Sequence, residues 1–123
     1  KNDDFDLSLI DNVNGFIKAL SSADEYKMLV NAMSFEKLSK SELKNALGLI
    51  GAALHDCIFI ANNLSGTVLP EIGQKELASK VSYERLIKLY DFIEALRLRV
   101  QGNAAPSIVC ASLCAEAYQI CFM

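Results

Sequence analysis

The hydrophobic positions of this chain recur every three or four residues, which is the spacing of one face of an α-helix. Residues 4–20 predict a first helix, and a second helix follows from 22 to about 34, with a Ser-x-x-Glu capping box at Ser22. The expected inner face of the first helix consists of Phe5, Leu9, Val13, Phe16 or Ile17, and Leu20. That of the second consists of Tyr26, Leu29, Val30 and Met33.

A longer helix is predicted over residues 39–63. It opens with a second capping box, in which Ser39 precedes Glu42 by three positions. Gly48 and Gly51 interrupt it, and they either weaken the helix or let another backbone approach closely. Its expected inner face consists of Leu43, Ala46, Leu47, Ile50, Leu54, Cys57, Ile58 and Ala61.

The second half of the chain predicts a loop and three more helices. The loop at 64–73 contains Gly66, Pro70 and Gly73, and a short helix follows at 74–80. Ser82 is expected to cap a helix over 83–101. The inner face of that helix is Leu86, Leu89, Tyr90, Ile93, Leu96 and Val100.

The last predicted helix, 104–122, differs from the others because it is apolar all round. Gly102 is expected to end the preceding helix, and Asn103 to cap this one. Glu116 is its only charge. A helix without a polar face is buried or lies in a membrane. Since polar residues interrupt the apolar run and no basic flank follows, we expect a central helix, or one shared between the core and a partner.

Composition narrows the class of protein. The chain has 123 residues, of which 52% are hydrophobic, and a net charge of −3. These values are typical of one folded domain, and the mild acidity disfavours nucleic-acid binding through the overall charge. The prediction is therefore a single-domain, all-α bundle of about five to six helices over 1–123.

The N-terminal residues indicate whether the chain is part of a larger protein and in which cell compartment it is expected. The chain begins at Lys1 instead of Met, which suggests a piece of a larger protein. Four aspartates in the first 20 residues argue against a secretory signal peptide. We therefore expect a cytoplasmic protein with reduced cysteines, and no membrane association.

Catalytic and cofactor signals are weak. No phosphate-binding glycine motif occurs. Neighbouring helix positions point in different directions, so His55 and Asp56 are expected to be a partly exposed polar pair and not a catalytic one. Buried structural thiols are the favoured interpretation of the four cysteines, and a metal site or a reactive thiol is the alternative. The cysteines are Cys57, Cys110, Cys114 and Cys121. No catalytic, cofactor-binding or metal-binding residue is predicted.

Some apolar residues lie away from the predicted inner faces, and they indicate either a protein–protein interface or the scattered exposed apolar residues that are normal on a protein surface. Ile87 and Leu98 share one side of the 83–101 helix, and Phe59 lies off the inner face of the 39–63 helix. Arg97 and Arg99 stand nearby in sequence and are candidates for charged pairing with another subunit.

The order of these elements resembles the C-terminal domain of bacterial DNA polymerase III clamp-loader subunits, the delta-prime type first and gamma/tau next. The resemblance covers the segment LHDCIFIANN (54–63), the variable loop, and the amphipathic stretch at 84–118. Asn103 stands where the family has a turn asparagine, and the helices at 4–20 and 22–34 match the preceding pair. The chain departs from the family at 110–121, where small residues and cysteines replace the usual leucines.

The resemblance implies a non-catalytic collar domain, preceded in the whole protein by AAA+ ATPase-like domains. Its partners would be other clamp-loader subunits, gamma/tau and delta, through their homologous domains. DNA would be engaged only by the parent complex, which loads the sliding clamp in replication. The alternatives are a helical adaptor for another complex and a small ligand- or metal-binding bundle.

Overall fold

A computed structural model of the chain describes residues 2–64, 69 and 73–123, with side chains from residue 9 onward. Its helices are α1 (Asn2–Ser21), α2 (Glu25–Ser34), α3 (Lys40–Ala61), α4 (Gln74–Lys80), α5 (Tyr83–Gln101) and α6 (Pro106–Phe122). A short 3₁₀ turn, Phe35–Lys37, follows α2. No strand occurs in these residues, so the predicted all-α bundle is confirmed. Phe5 lies before the described side chains, and Gly66 and Pro70 lie outside the described residues.

Two of the predicted helix starts are confirmed by their capping hydrogen bonds. At α3 the Glu42 backbone N–H donates to Ser39 Oγ at 3.1 Å, and the Ser39 N–H donates to Glu42 Oε1 at 2.9 Å. At α5 the Arg85 N–H donates to Ser82 Oγ at 3.3 Å. Each bond satisfies a backbone group that the first helical turn leaves unpaired.

The predicted capping box at Ser22 is wrong. The N-cap of α2 is Asp24, whose carboxylate accepts a hydrogen bond from the Lys27 N–H at 3.1 Å. Ser22 instead donates through Oγ to the carbonyl of Ala19 at 2.9 Å, which closes the end of α1. The turn also holds Ala23 at a positive φ of 57°. α2 therefore starts three residues later than the sequence pattern indicated.

Gly102 ends α5 as predicted, but the backbone of the turn and the role of Asn103 differ from the prediction. Gly102 has an ordinary φ of −88°, and Asn103 takes the left-handed conformation at φ 71°. Asn103 does not cap α6, which begins at Pro106 with no side-chain cap. The Asn103 Oδ1 instead accepts a hydrogen bond from Lys40 Nζ at 2.7 Å, which links this turn to the start of α3.

α3 lies at the centre of the bundle and packs against α1, α4 and α5. α6 packs against α5 on one side and against α2 on the other. From Leu9 onward, the predicted inner faces of α1, α3 and α5 lie in the core, apart from the half-buried Ile58 and Tyr90 and the exposed Ala61. The largest buried side chains include Phe16, Phe35, Leu47, Leu54 and Leu86.

The two glycines of α3 have different surroundings. A Cβ atom at Gly51 would lie 3.2 Å from Glu94 Oε2 and 3.8 Å from Tyr90 Cε1, so side chains of α5 pass close to the α3 backbone here. A Cβ at Gly48 would meet nothing within 4 Å. Side chains of α5, and not another backbone, therefore lie close to Gly51, and neither lies close to Gly48.

One helix of the described chain, α3, is long and apolar enough to cross a membrane by length and composition. Half of its most apolar stretch is buried inside the bundle. That burial is typical of the central helix of a folded domain.

Candidate protein-binding surface

The predicted inner face of α2 is wrong, because it points to solvent. Met28 and Ala32 are fully buried, and they attach α2 to the rest of the bundle. The exposed fractions are 73% for Tyr26, 51% for Val30 and 44% for Leu29. Met33 is also exposed. α2 is apolar over about half its circumference, and the core covers only one part of that sector.

α6 likewise has two apolar faces, and only one is covered. The buried face consists of Val109, Cys110, Leu113, Cys114, Ala117 and Cys121. On the other face Ile108 is 62% exposed, Ala111 and Ala115 are exposed, and Tyr118 and Phe122 are half-buried. The expectation that α6 is a central helix is therefore wrong. The other expectation, that α6 is shared between the core and a partner, remains a prediction.

The uncovered faces of α2 and α6 adjoin along a groove of about 420 Å³. Tyr26 and Leu29 form one wall, Ala111 and Ala115 form the other, and Cys114 lies at the floor. We use the name α2/α6 surface for this groove and its apolar borders. Its members are Tyr26, Leu29, Ala111 and Ala115, which line the groove, and Met33, Ile108, Tyr118 and Phe122, which share the same helix faces. Exposed apolar residues grouped on one face are a common feature of protein interaction sites.

The charges that act on this groove are negative. Glu25 lies in its wall. Burial raises the pKa of the Cys114 thiol, and the Glu25 carboxylate raises it further. Burial likewise raises the pKa of Cys110 to about 11, with a contribution from Glu36. The groove therefore combines apolar walls with an acidic edge.

All four cysteines are free and buried, as the favoured interpretation predicted. Burial raises the pKa of Cys121 to about 12, although the nearby Arg85 guanidinium acts in the opposite direction. Thiols with raised pKa values are poor nucleophiles at neutral pH, because the thiolate is the reactive form. Within the described residues, no group of three or more His, Cys, Asp or Glu side chains is placed to hold a metal ion.

The adjacent pair His55 and Asp56 is divided between solvent and core. His55 is exposed, and its ring lies 4.5 Å from that of Phe59. Asp56 is buried, so the prediction of a partly exposed pair is wrong for this residue. Its Oδ2 accepts hydrogen bonds from the Leu69 N–H at 2.9 Å and from Gln74 Nε2 at 3.3 Å. Asp56 thus joins α3 to the start of α4, which is a structural role.

The predicted interface residues do not line the α2/α6 groove. On α5, Leu98 is 68% exposed, Arg99 is exposed, and Ile87 is half-buried. Arg97 pairs with Glu94 at 2.6 Å. Phe59 is half-buried on α3. Sequence reasoning missed the α2/α6 surface because it assigned the apolar residues of α2 to the core. The sequence feature that could have indicated this surface is the large number of apolar positions on α2 and α6, which exceeds what one buried face needs.

No protein-family model, curated protein or solved structure matches this chain.

Proposed function

We propose that this chain is a non-catalytic oligomerisation domain, and specifically the collar domain of a bacterial clamp-loader subunit of the delta-prime or gamma/tau type. The observation that carries the general proposal is the α2/α6 surface, an apolar face that extends over two helices and includes Tyr26 and Ile108 at exposures of 73% and 62%. Burying such a surface against another protein is favourable because it removes apolar area from water.

The specific proposal is supported by the order of the helices. A helix pair precedes a long capped helix, a short helix follows, and a second long helix ends at the Asn103 turn before the apolar last helix. This is the order that the resemblance implies. The proposed partners are the gamma/tau and delta subunits, the proposed location is the cytoplasm, and DNA is bound only by the parent complex.

Binding to a clamp-loader partner tests this proposal directly. Light scattering on a sizing column is measured for the chain alone and for the chain mixed with the C-terminal domain of a gamma/tau subunit from the same organism. We expect a stable mixed complex at micromolar concentrations. Separate elution of the two proteins at those concentrations would overturn the clamp-loader assignment and leave an adaptor for another complex as the function to test.

A further inference from the structure

We propose that the α2/α6 surface binds a single α-helix of a partner protein, and that this helix carries an apolar seam with lysine or arginine beside it. The inference rests on the proposed function insofar as the chain is a protein-binding domain. It adds the chemistry and secondary structure of the segment that the surface receives.

The spacing of the uncovered residues indicates a helical partner. On α6 the uncovered apolar positions are 108, 111, 115, 118 and 122, which alternate steps of three and four. On α2 positions 26, 29 and 33 show the same alternation, and Val30 is exposed beside them. Alternating steps of three and four are the a and d positions of a heptad, the pattern by which helices interlock side chains along a seam. Both helices thus carry a second seam, which the bundle leaves exposed except at the half-buried Tyr118 and Phe122.

The shape of the groove is consistent with one helix lying between these seams. Tyr26 and Leu29 rise on the α2 side, while the α6 side is low because Ala111 and Ala115 carry only methyl groups. Small side chains let a neighbouring helix approach closely, and the large residues opposite supply contact area. An apolar helix face docked in a groove between two helices is a known mode of peptide recognition.

The charge of the groove determines which charged residues are favoured beside the apolar seam of the partner helix. Glu25 lies in the wall, and its carboxylate acts on Cys114 at the floor of the groove. None of the residues lining the groove is basic. A partner helix with lysine or arginine next to its seam is therefore favoured over one with acidic flanks.

Two synthetic peptides test this chemistry on the intact chain. Each has three heptads with leucine at a and d and alanine elsewhere, and the e and g positions are lysine in one and glutamate in the other. Fluorescence anisotropy of the labelled peptides measures binding. We expect the lysine peptide to bind at least tenfold more tightly than the glutamate peptide. Equal affinities, or no binding by either peptide, would overturn the proposal.

Matched variants locate the binding to the groove. Ala115 and Ala95 are both exposed alanines within helices, on α6 and α5 respectively. We expect Ala115→Lys to weaken binding of the lysine peptide at least tenfold and Ala95→Lys to leave it within twofold. Glu25→Gln should narrow the preference for the lysine peptide. Circular dichroism confirms that each variant is folded, and equal effects of the two lysine substitutions would contradict the assignment.

Other occupants of the surface give different results. A lipid surface would be identified by three results together. The chain sediments with vesicles of phosphatidylcholine and phosphatidylglycerol, Ala115→Lys does not strengthen that sedimentation, and neither peptide binds. A dimer of the chain that Ala115→Lys dissociates would identify a second copy. Either result overturns the proposal of a basic-flanked partner helix.

The same variants separate this inference from the clamp-loader assignment. If the gamma/tau domain binds and Ala115→Lys has no effect on that complex, the inference is wrong and the assignment stands. If the lysine peptide binds at the groove and the gamma/tau domain does not bind, the assignment is wrong and the inference stands.

Discussion

At the scale of single residues, the buried carboxylate of Asp56 forms the polar link between α3 and α4. Its Oδ2 accepts two hydrogen bonds, from the Leu69 N–H and from Gln74 Nε2, and both Asp56 and Gln74 are about 1% exposed. Removing an acceptor inside a protein leaves its donors without a partner, and that desolvation is costly. We therefore expect this side chain to contribute to the stability of the connection between the two helices.

Replacing Asp56 tests that role. We expect Asp56→Ala to lower the free energy of unfolding by about 1–3 kcal/mol, because the buried Gln74 amide and Leu69 N–H lose their acceptor. Asp56→Asn, which keeps one acceptor oxygen, should cost less. Urea denaturation followed by circular dichroism measures both. An alanine variant as stable as the original chain would show that Asp56 does not hold α4 in place.

A substitution at Gly48 is expected to stabilise the chain, in contrast to those at Asp56. It lies within α3, where glycine is about 1 kcal/mol less favourable than alanine. A Cβ there would meet no atom within 4 Å. We therefore expect Gly48→Ala to raise the free energy of unfolding by up to about 1 kcal/mol.

Gly51 is the control for this substitution, since it lies on the same helix. A Cβ at Gly51 would lie 3.2 Å from Glu94 Oε2, so Gly51→Ala should gain less, or lose stability. The urea midpoints of the two variants provide the comparison. A larger gain at Gly51 than at Gly48 would contradict the described environments.

At the scale of whole helices, the structure determines which side of α2 faces the core. Met28 and Leu29 are consecutive, and Met28 is buried while Leu29 is 44% exposed. Truncating a buried methionine removes apolar burial and leaves a cavity, at a typical cost of about 2–5 kcal/mol. Truncating an exposed leucine changes stability by roughly 0.5 kcal/mol or less.

The pair Met28→Ala and Leu29→Ala therefore tests the orientation of α2. We expect the first to destabilise the chain by about 2 kcal/mol or more and the second to have little effect. Thermal or urea unfolding measures the difference. If Leu29→Ala were the costlier change, the orientation first indicated by the sequence pattern would be correct and the α2/α6 surface would not be exposed as described.

The helices themselves could be predicted from the sequence, and the burial of α2 and α6 could not. α3 and α5 have caps at Ser39 and Ser82, and each has one main apolar face, so periodicity and capping indicated the same helices. On α2, Tyr26 and Met28 both belong to apolar sets with helical spacing, and periodicity does not rank two such sets. On α6 the apolar residues surround the helix. Only tertiary packing decides which set is covered. A helix face that binds a partner has the same spacing of apolar residues as a face buried in the core.

The buried face of α6 predicts how its thiols react. With its pKa raised to about 11, from 9.0 for a free thiol, Cys110 holds about a hundredth of the usual thiolate at pH 8. We expect Cys110 and Cys121 to react with iodoacetamide at least 100-fold more slowly in the folded chain than in urea. Mass spectrometry of timed reactions measures each site. Equally fast labelling in both conditions would support the reactive-thiol alternative.

At the scale of the whole molecule, these same thiols couple global stability to pH. The folded pKa values of Cys110 and Cys121, about 11 and about 12, lie above the ordinary value of 9.0. Below pH 9 both thiols are protonated whether the chain is folded or unfolded, so their contribution to stability is unaffected there. Above pH 9 the unfolded chain releases these protons while the folded chain keeps them, so stability falls as the pH rises.

We therefore expect the free energy of unfolding to decline from pH 9 towards pH 11, measured by urea denaturation at fixed ionic strength. Lysines and tyrosines also titrate in this range, so the decisive quantity is a difference in slope. Since Cys110→Ala with Cys121→Ala removes the two thiols, that variant should show a shallower decline, even though its stability at pH 8 is lower. Identical slopes would mean that the thiols become ionised without unfolding the chain, and that the buried face of α6 is open to water.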